Sequence, residues 1–107
     1  MGRTLKVRVY LLRLGGRAHD VVVLWDDEAA KRLGESIAHL RRERGLSQAE
    51  LSRRAGLGVN HVQLIEAARA SWRSGEGHPS NPKLSTLARL ATSLDVTLAE
   101  LFRSSDL

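Results

Sequence analysis

The chain has 107 residues, no cysteine, 42% hydrophobic residues and a formal net charge of +5. This length suits one compact domain with a modest core, and without cysteine neither a disulfide framework nor a thiolate zinc site is expected. The longest apolar run, residues 21–25, is too short to cross a bilayer, and the alternation of charged and apolar residues over 1–14 is unlike a signal peptide. We therefore expect a cytoplasmic protein without a membrane partner.

Basic charge is concentrated in two segments of the chain. Residues 1–25 carry five basic residues and one acidic residue, and residues 41–73 carry seven basic and three acidic residues. Arginine accounts for 14 of the 17 basic residues, and its planar array of donors suits phosphates and guanine edges. This charge distribution favours a nucleic-acid partner.

Residues 1–25 are predicted to form a β-hairpin. Apolar residues alternate with polar ones over 5–11, two glycines follow, and residues 21–25 are apolar on both faces of a strand. Because a lone hairpin is only marginally stable, we expect it to pair with a second copy and form a homodimer, although it could instead lie on DNA or bind another protein. The residues expected at this dimer contact are Val7, Val9, Val21, Val22, Val23 and Trp25.

Residues 26–107 are predicted to form a domain of five helices. Acidic residues from Asp26 to Glu28 start the first helix, which Gly45 ends. Ser47 and Glu50 form a capping box for a short helix over 48–55, and Gly56 ends it. A third helix starts at Val59 and runs to about residue 68, or through residue 72 if it continues into the long loop.

Two further helices follow that loop, which spans residues 69–81. Asn81 and Pro82 predict a helix start, with Leu84, Leu87, Leu90, Ala91 and Leu94 on its apolar face. Thr97 and Glu100 form a second capping box, for a final short helix. The loop could brace the domain, contact the DNA backbone or have no special function.

Three stretches of this sequence resemble the phage-repressor-like or XRE (Cro-type) helix-turn-helix family. They are LRRERGLSQAELSRRAG at 40–56, VNHVQLIE at 59–66 and NPKLSTLARLATSLDVTLAELF at 81–102. The resemblance implies a mainly α fold, a five-helix lambda-repressor-like domain, whose third helix enters the major groove of double-stranded DNA. The predicted hairpin and the long loop are departures from the minimal family domain.

The resemblance assigns roles to residues of the second and third helices. Val59, Asn60, Gln63 and Leu64 are expected to face the groove, where the two amides can read adenine and the two apolar side chains can touch thymine methyls. Ser47 and Gln48, at the start of the second helix, are expected to bind a phosphate, although Ser47 is also explained by its cap alone. His61 could reach a phosphate or merely be exposed to solvent, and the candidates for further phosphate contacts are Arg42, Arg44, Arg53, Arg54, Arg69 and Arg73. Arg41 and Glu66 are expected to form a structural ion pair.

An enzyme is not expected, because the sequence has no Cys nucleophile, no Gly-x-Ser-x-Gly elbow, no phosphate-binding loop and no His-Glu-x-x-His helix. The four histidines lack ligand spacing, so neither a metal nor another cofactor is expected. The sequence thus predicts a transcriptional regulator, a repressor acting as a homodimer on a palindromic operator. The alternatives are an antitoxin-like or adaptor protein that binds a protein partner, such as a toxin, through the hairpin, and a non-specific architectural binder.

Overall fold

The computed structural model describes residues 25–75 and 78–107, so the predicted hairpin over 1–24 lies outside the described residues. Within the described residues the fold is mainly helical with five helices, as predicted. The helices are α1 (Asp27–Glu43), α2 (Gln48–Ala55), α3 (Val59–Glu66), α4 (Leu84–Ser93) and α5 (Leu98–Ser104). None of these described helices is long and apolar enough to span a membrane.

The first two helices begin and end where the sequence signals predict. Asp26 Oδ1 accepts a hydrogen bond from Ala29 N at 2.9 Å and caps α1, and Gly45 follows α1 with φ +67°. Ser47 and Glu50 form the predicted capping box of α2, which ends at Gly56 with φ +69°. These left-handed φ angles carry no steric penalty for glycine, so both helices end sharply.

The third helix ends at Glu66, so its predicted extension to residue 68 or 72 is wrong. Ala68 N donates to Ile65 O at 3.1 Å, Arg69 N donates to Leu64 O at 2.9 Å, and Ala68 has φ +62°. This is the hydrogen-bond pattern of a Schellman motif, which usually has glycine in the left-handed position. Because alanine occupies it here, no residue type marks the end of α3 in the sequence.

The fourth helix also differs from its prediction. It begins at Leu84 with Lys83 in the N-cap position, two residues later than Asn81 and Pro82 suggested. Leu84, which was placed on the apolar face, is 64% exposed. The Thr97 capping box of α5 is present as predicted.

The helices surround one small apolar core. α3 packs against α1 and α2, α4 packs against α2 and α5, and α5 also contacts α1. The buried core residues are Leu33, Ile37, Leu51, Ala55, Val62, Ile65, Leu87, Leu90, Ala91, Leu94 and Leu101.

Trp25 packs against this core in a half-buried position. Its indole Nε1 donates a hydrogen bond to Ser80 O at 2.8 Å. Trp25 therefore joins the segment just before α1 to the end of the long loop. The other residues of the predicted dimer contact lie outside the described residues.

Helices α1 and α3 approach each other closely at Gly34. A Cβ atom built on this buried glycine would lie 2.6 Å from Ile65 O and 2.7 Å from Glu66 O. These two carbonyl oxygens belong to the last turn of α3, so the absence of a side chain at position 34 permits the observed spacing.

Candidate nucleic-acid interface

The outer face of α3 is the centre of the candidate interface. Val62 and Ile65 are buried in the core, and this fixes the rotation of α3 about its axis. The opposite face exposes Val59, Asn60 and His61. Gln63 and Leu64, which complete the predicted set on this helix, are half-buried.

The predicted partners Arg41 and Glu66 contact each other in a bidentate ion pair that joins α1 to α3. Arg41 Nε donates to Glu66 Oε2 at 2.8 Å, and Arg41 Nη2 donates to Glu66 Oε1 at 3.0 Å. Arg41 Nη1 also donates to Leu46 O at 2.9 Å, which ties in the connection to α2. Only 12% of the Arg41 side chain and 7% of the Glu66 side chain are exposed. Two parallel bonds of this kind fix the orientation of the two side chains and also contribute to the free energy of folding.

Gln48 shares this carboxylate, a contact that the sequence did not indicate. Its Nε2 donates to Glu66 Oε1 at 2.9 Å. The first residue of α2 is therefore held against the last residue of α3. This bond uses one N–H of the Gln48 amide, so the second N–H and the amide oxygen remain for a DNA contact.

The start of α2 holds the predicted capping box together with the first backbone amides of the helix. Ser47 Oγ accepts from Glu50 N at 3.0 Å, and Glu50 Oε1 accepts from Ser47 N at 3.1 Å. The Ser47 backbone N–H and, second, the Ser47 hydroxyl group stabilise the charged Glu50 carboxylate by hydrogen bonding and hold the pKa of Glu50 below its ordinary value. The amides of Gln48 and Ala49 lie in the same first turn, where the helix dipole favours an anion.

The predicted phosphate-binding arginines occupy different surfaces. Arg53 and Arg54 are exposed near the end of α2, where they line a shallow groove with Arg89. Arg42 lines a second shallow groove, which we call the α3 groove and which also includes Gln48, Gln63 and Trp72. Arg44 and Arg73 are exposed as well.

Arg69 organises the long loop rather than extending toward solvent. Its Nε donates to Ser71 O at 3.3 Å, and its Nη2 donates to Trp72 O at 2.9 Å and to Ser74 O at 2.7 Å. Its guanidinium carbon also lies 5.8 Å from the centre of the Trp72 ring. Much of the donor capacity of Arg69 is therefore used within the loop.

The loop brings Trp72 to the candidate interface. Trp72 Nε1 donates a hydrogen bond to Asn60 Oδ1 at 2.6 Å, across 12 residues of sequence. Sequence reasoning missed this contact, because it depends on how the loop folds back. Among the described residues, no group of three or more histidine or acidic side chains is placed to hold a metal ion.

Comparison with known proteins identifies the family. Residues 36–106 match the model of the Cro/C1-type HTH DNA-binding domain. The chain belongs to this helix-turn-helix family. An uncharacterized HTH-type transcriptional regulator, y4dJ of Sinorhizobium fredii (strain NBRC 101917 / NGR234), is 34% identical over 76 residues, which cover 71% of this chain and 86% of the relative.

A second relative is an antitoxin. Antitoxin HigA1 of Mycobacterium tuberculosis (strains CDC 1551 / Oshkosh and ATCC 25618 / H37Rv) is 41% identical over 75 residues, which cover 70% of this chain. The matched part spans only 44% of HigA1. Together with the helix-turn-helix geometry, the family makes this Cro/C1-type chain a DNA-binding regulator.

Proposed function

We propose that this Cro/C1-type protein is a repressor that binds a palindromic operator as a homodimer. The observation that carries the proposal is the orientation of α3, whose outer face exposes Asn60 while Val62 and Ile65 are buried. In a helix-turn-helix of this kind, exposed residues at the start of the recognition helix reach base edges in the major groove. The protein acts in this proposal by occupying DNA and not by catalysis.

A dimer is proposed because a single recognition helix reads only a short stretch of sequence. Two-fold symmetric dimers of such domains bind half-sites about one helical turn apart, and the operator is palindromic for that reason. The apolar pattern over residues 21–25 supports placing the dimer contact in the N-terminal segment. The same pairing would give that segment a partner for both of its faces.

Selection of bound sequences from a random pool of duplex DNA tests this proposal. We expect a palindromic motif whose site is bound roughly a thousandfold or more tightly than random DNA. Recovery of sequences without enrichment would refute a sequence-specific regulator and favour the architectural binder. An enriched motif with no symmetry, together with a monomeric mass in solution, would refute the homodimer.

Two variants separate base reading from phosphate binding. Asn60→Ala is expected to relax the preference at one base position, at a cost of about 1 to 3 kcal/mol. Arg54→Ala is expected to weaken binding to all sequences alike and to reduce the salt slope by about one. If Asn60→Ala, like Arg54→Ala, weakened binding to the selected site and to random DNA by the same factor, the placement of Asn60 at a base edge would be contradicted.

The second candidate function is that of an antitoxin, and the similarity to HigA1 favours it. In this alternative the N-terminal segment binds a protein toxin, and DNA binding serves to regulate the operon. Co-expression of the full chain with the product of an adjacent small gene tests the alternative. Co-purification together with relief of growth arrest would support it, whereas growth arrest that the chain does not relieve would exclude that gene product as its toxin.

A further inference from the structure

The contact between Trp72 and Asn60 fixes which way the Asn60 amide points. An indole N–H is a donor only, whereas an asparagine amide has an accepting oxygen on one side and a donating NH₂ group on the other. The 2.6 Å contact from Trp72 Nε1 therefore requires Oδ1 to face the indole. A flipped amide would place two donors against each other, and no hydrogen bond could form between the two side chains.

This orientation is compatible with reading a base. Bidentate recognition of adenine needs the amide oxygen to accept from N6 while the NH₂ group donates to N7. Because the oxygen of Asn60 has two lone pairs, it can accept from Trp72 and from adenine at once, and its Nδ2 is not used by the indole contact. Asn60 is exposed and Trp72 is 51% exposed, so the pair is accessible from solvent.

The loop holds Trp72 in this position through several contacts of its own. Beyond the Arg69 bonds to three of its carbonyls, Ser71 Oγ and Ser74 Oγ lie 2.8 Å apart in a hydrogen bond. At the base of the loop, Ala70 N donates to His78 O at 3.1 Å and Ser80 N donates to Ala68 O at 3.2 Å. The indole is thus placed before any ligand binds, which lowers the entropic cost of ordering Asn60 on binding.

We propose that Trp72 is a positioning residue that sets base specificity by fixing the Asn60 amide. This inference rests on the proposed function, since it names a further determinant of the same DNA-reading face. Trp72 acts through Asn60 in this proposal, and its ring need not touch a base.

A double-mutant cycle with Trp72→Phe and Asn60→Ala tests the inference. Phenylalanine keeps an aromatic ring in the α3 groove, while the N–H donor is removed together with the second ring of the indole. We expect Trp72→Phe to reduce discrimination at the base position read by Asn60 by about two- to tenfold, the range of one net hydrogen bond. In the Asn60→Ala background the same change should have no effect, because the group that Trp72 positions is gone.

The wild-type selection separates failure of this inference from failure of the proposed function. If the wild type selects a motif and Trp72→Phe selects the same motif with the same preference at every position, the positioning role is refuted and the regulator stands. If Trp72→Phe weakens all sequences equally, the residue has only a general contact role and the inference is again overturned. A wild type without any motif refutes both.

The contact itself can be tested in the free protein. Hydrogen exchange at the Trp72 indole N–H should be slowed in the wild type and fast in Asn60→Ala. Asn60→Asp keeps an accepting oxygen and should preserve the slow exchange. Equal exchange rates in all three proteins would show that the indole is not held by residue 60 and would overturn the proposal.

Discussion

Replacing Gly34 by alanine has two effects of opposite sign on the free energy of unfolding. In an exposed helix interior, alanine is about 0.8 to 1.0 kcal/mol more favourable than glycine. At position 34 the added Cβ would lie 2.6 Å from Ile65 O and 2.7 Å from Glu66 O. Both oxygens are backbone atoms of a packed helix, so no side-chain rotation can relieve the contact.

The size of the stability loss in Gly34→Ala follows from how far α1 and α3 must separate. Ordinary van der Waals contact for a Cβ begins at 3.4 Å, so α1 and α3 must move apart by about 0.8 Å. Overpacking of this kind costs about 1 to 3 kcal/mol. Taking the upper end, because backbone must shift, and subtracting the helix-propensity gain leaves a net loss of about 2 kcal/mol. For a domain of this size the midpoint of thermal unfolding should fall by about 8 to 16 °C.

Urea unfolding followed by circular dichroism measures this loss, and Gly75→Ala is the matched control. A Cβ at Gly75 meets no atom of residues 25–75 and 78–107 within 4 Å, so that variant should stay within about 1 kcal/mol of the wild type. A Gly34→Ala protein as stable as the wild type, or more stable, would refute the argument that glycine is needed for the close approach of α1 and α3.

Three further predictions concern the free energy of unfolding. Glu66→Leu should lower this free energy by about 3 to 5 kcal/mol, because Arg41 is left buried without its carboxylate. Adding Arg41→Met should recover most of the loss in denaturant unfolding, and additive losses of the two changes would contradict the ion-pair argument. The pKa of Glu50 is lowered in the folded protein by its bonds to Ser47, so the stability that these bonds contribute is present above the unfolded-state pKa and is lost as the pH falls. Glu50→Gln should therefore flatten the acid side of the curve of unfolding free energy against pH, and an unchanged curve would contradict a contribution of the capping box. Ala68→Gly should raise stability by about 1 kcal/mol in thermal unfolding, since φ +62° strains alanine, whereas a loss would show that the turn is unstrained.

Local signals were sufficient for most of the helix boundaries. A capping box is formed by residues three apart, so the starts of α2 and α5 could be predicted from Ser47 and Thr97 without knowledge of the rest of the chain. The core could be predicted in the same way, because apolar spacing identifies one face of each helix. The end of α3 could not, since Ala68 adopts a conformation that its residue type disfavours.

Contacts of the loop were beyond local reasoning. Arg69 looked like a free phosphate ligand, but its Nε and Nη2 bind backbone carbonyls within the loop. Asn60 looked like an independent base reader, but its amide accepts a bond from Trp72. In both cases the partner is set by how residues 69–75 fold back over α3, and no periodic pattern encodes that path.

The two tryptophans of the chain contact different parts of the fold and lie in different surroundings. Trp25 is half-buried against the core and bonded to Ser80 O, whereas Trp72 is 51% exposed and bonded to Asn60. Intrinsic fluorescence therefore contains two separable signals, one from the folded core and one from the α3 groove. The Trp72→Phe protein leaves Trp25 as its sole tryptophan, so excitation selective for tryptophan reports on the folded core of this variant during a DNA titration, whereas the wild type reports on both positions without any attached label.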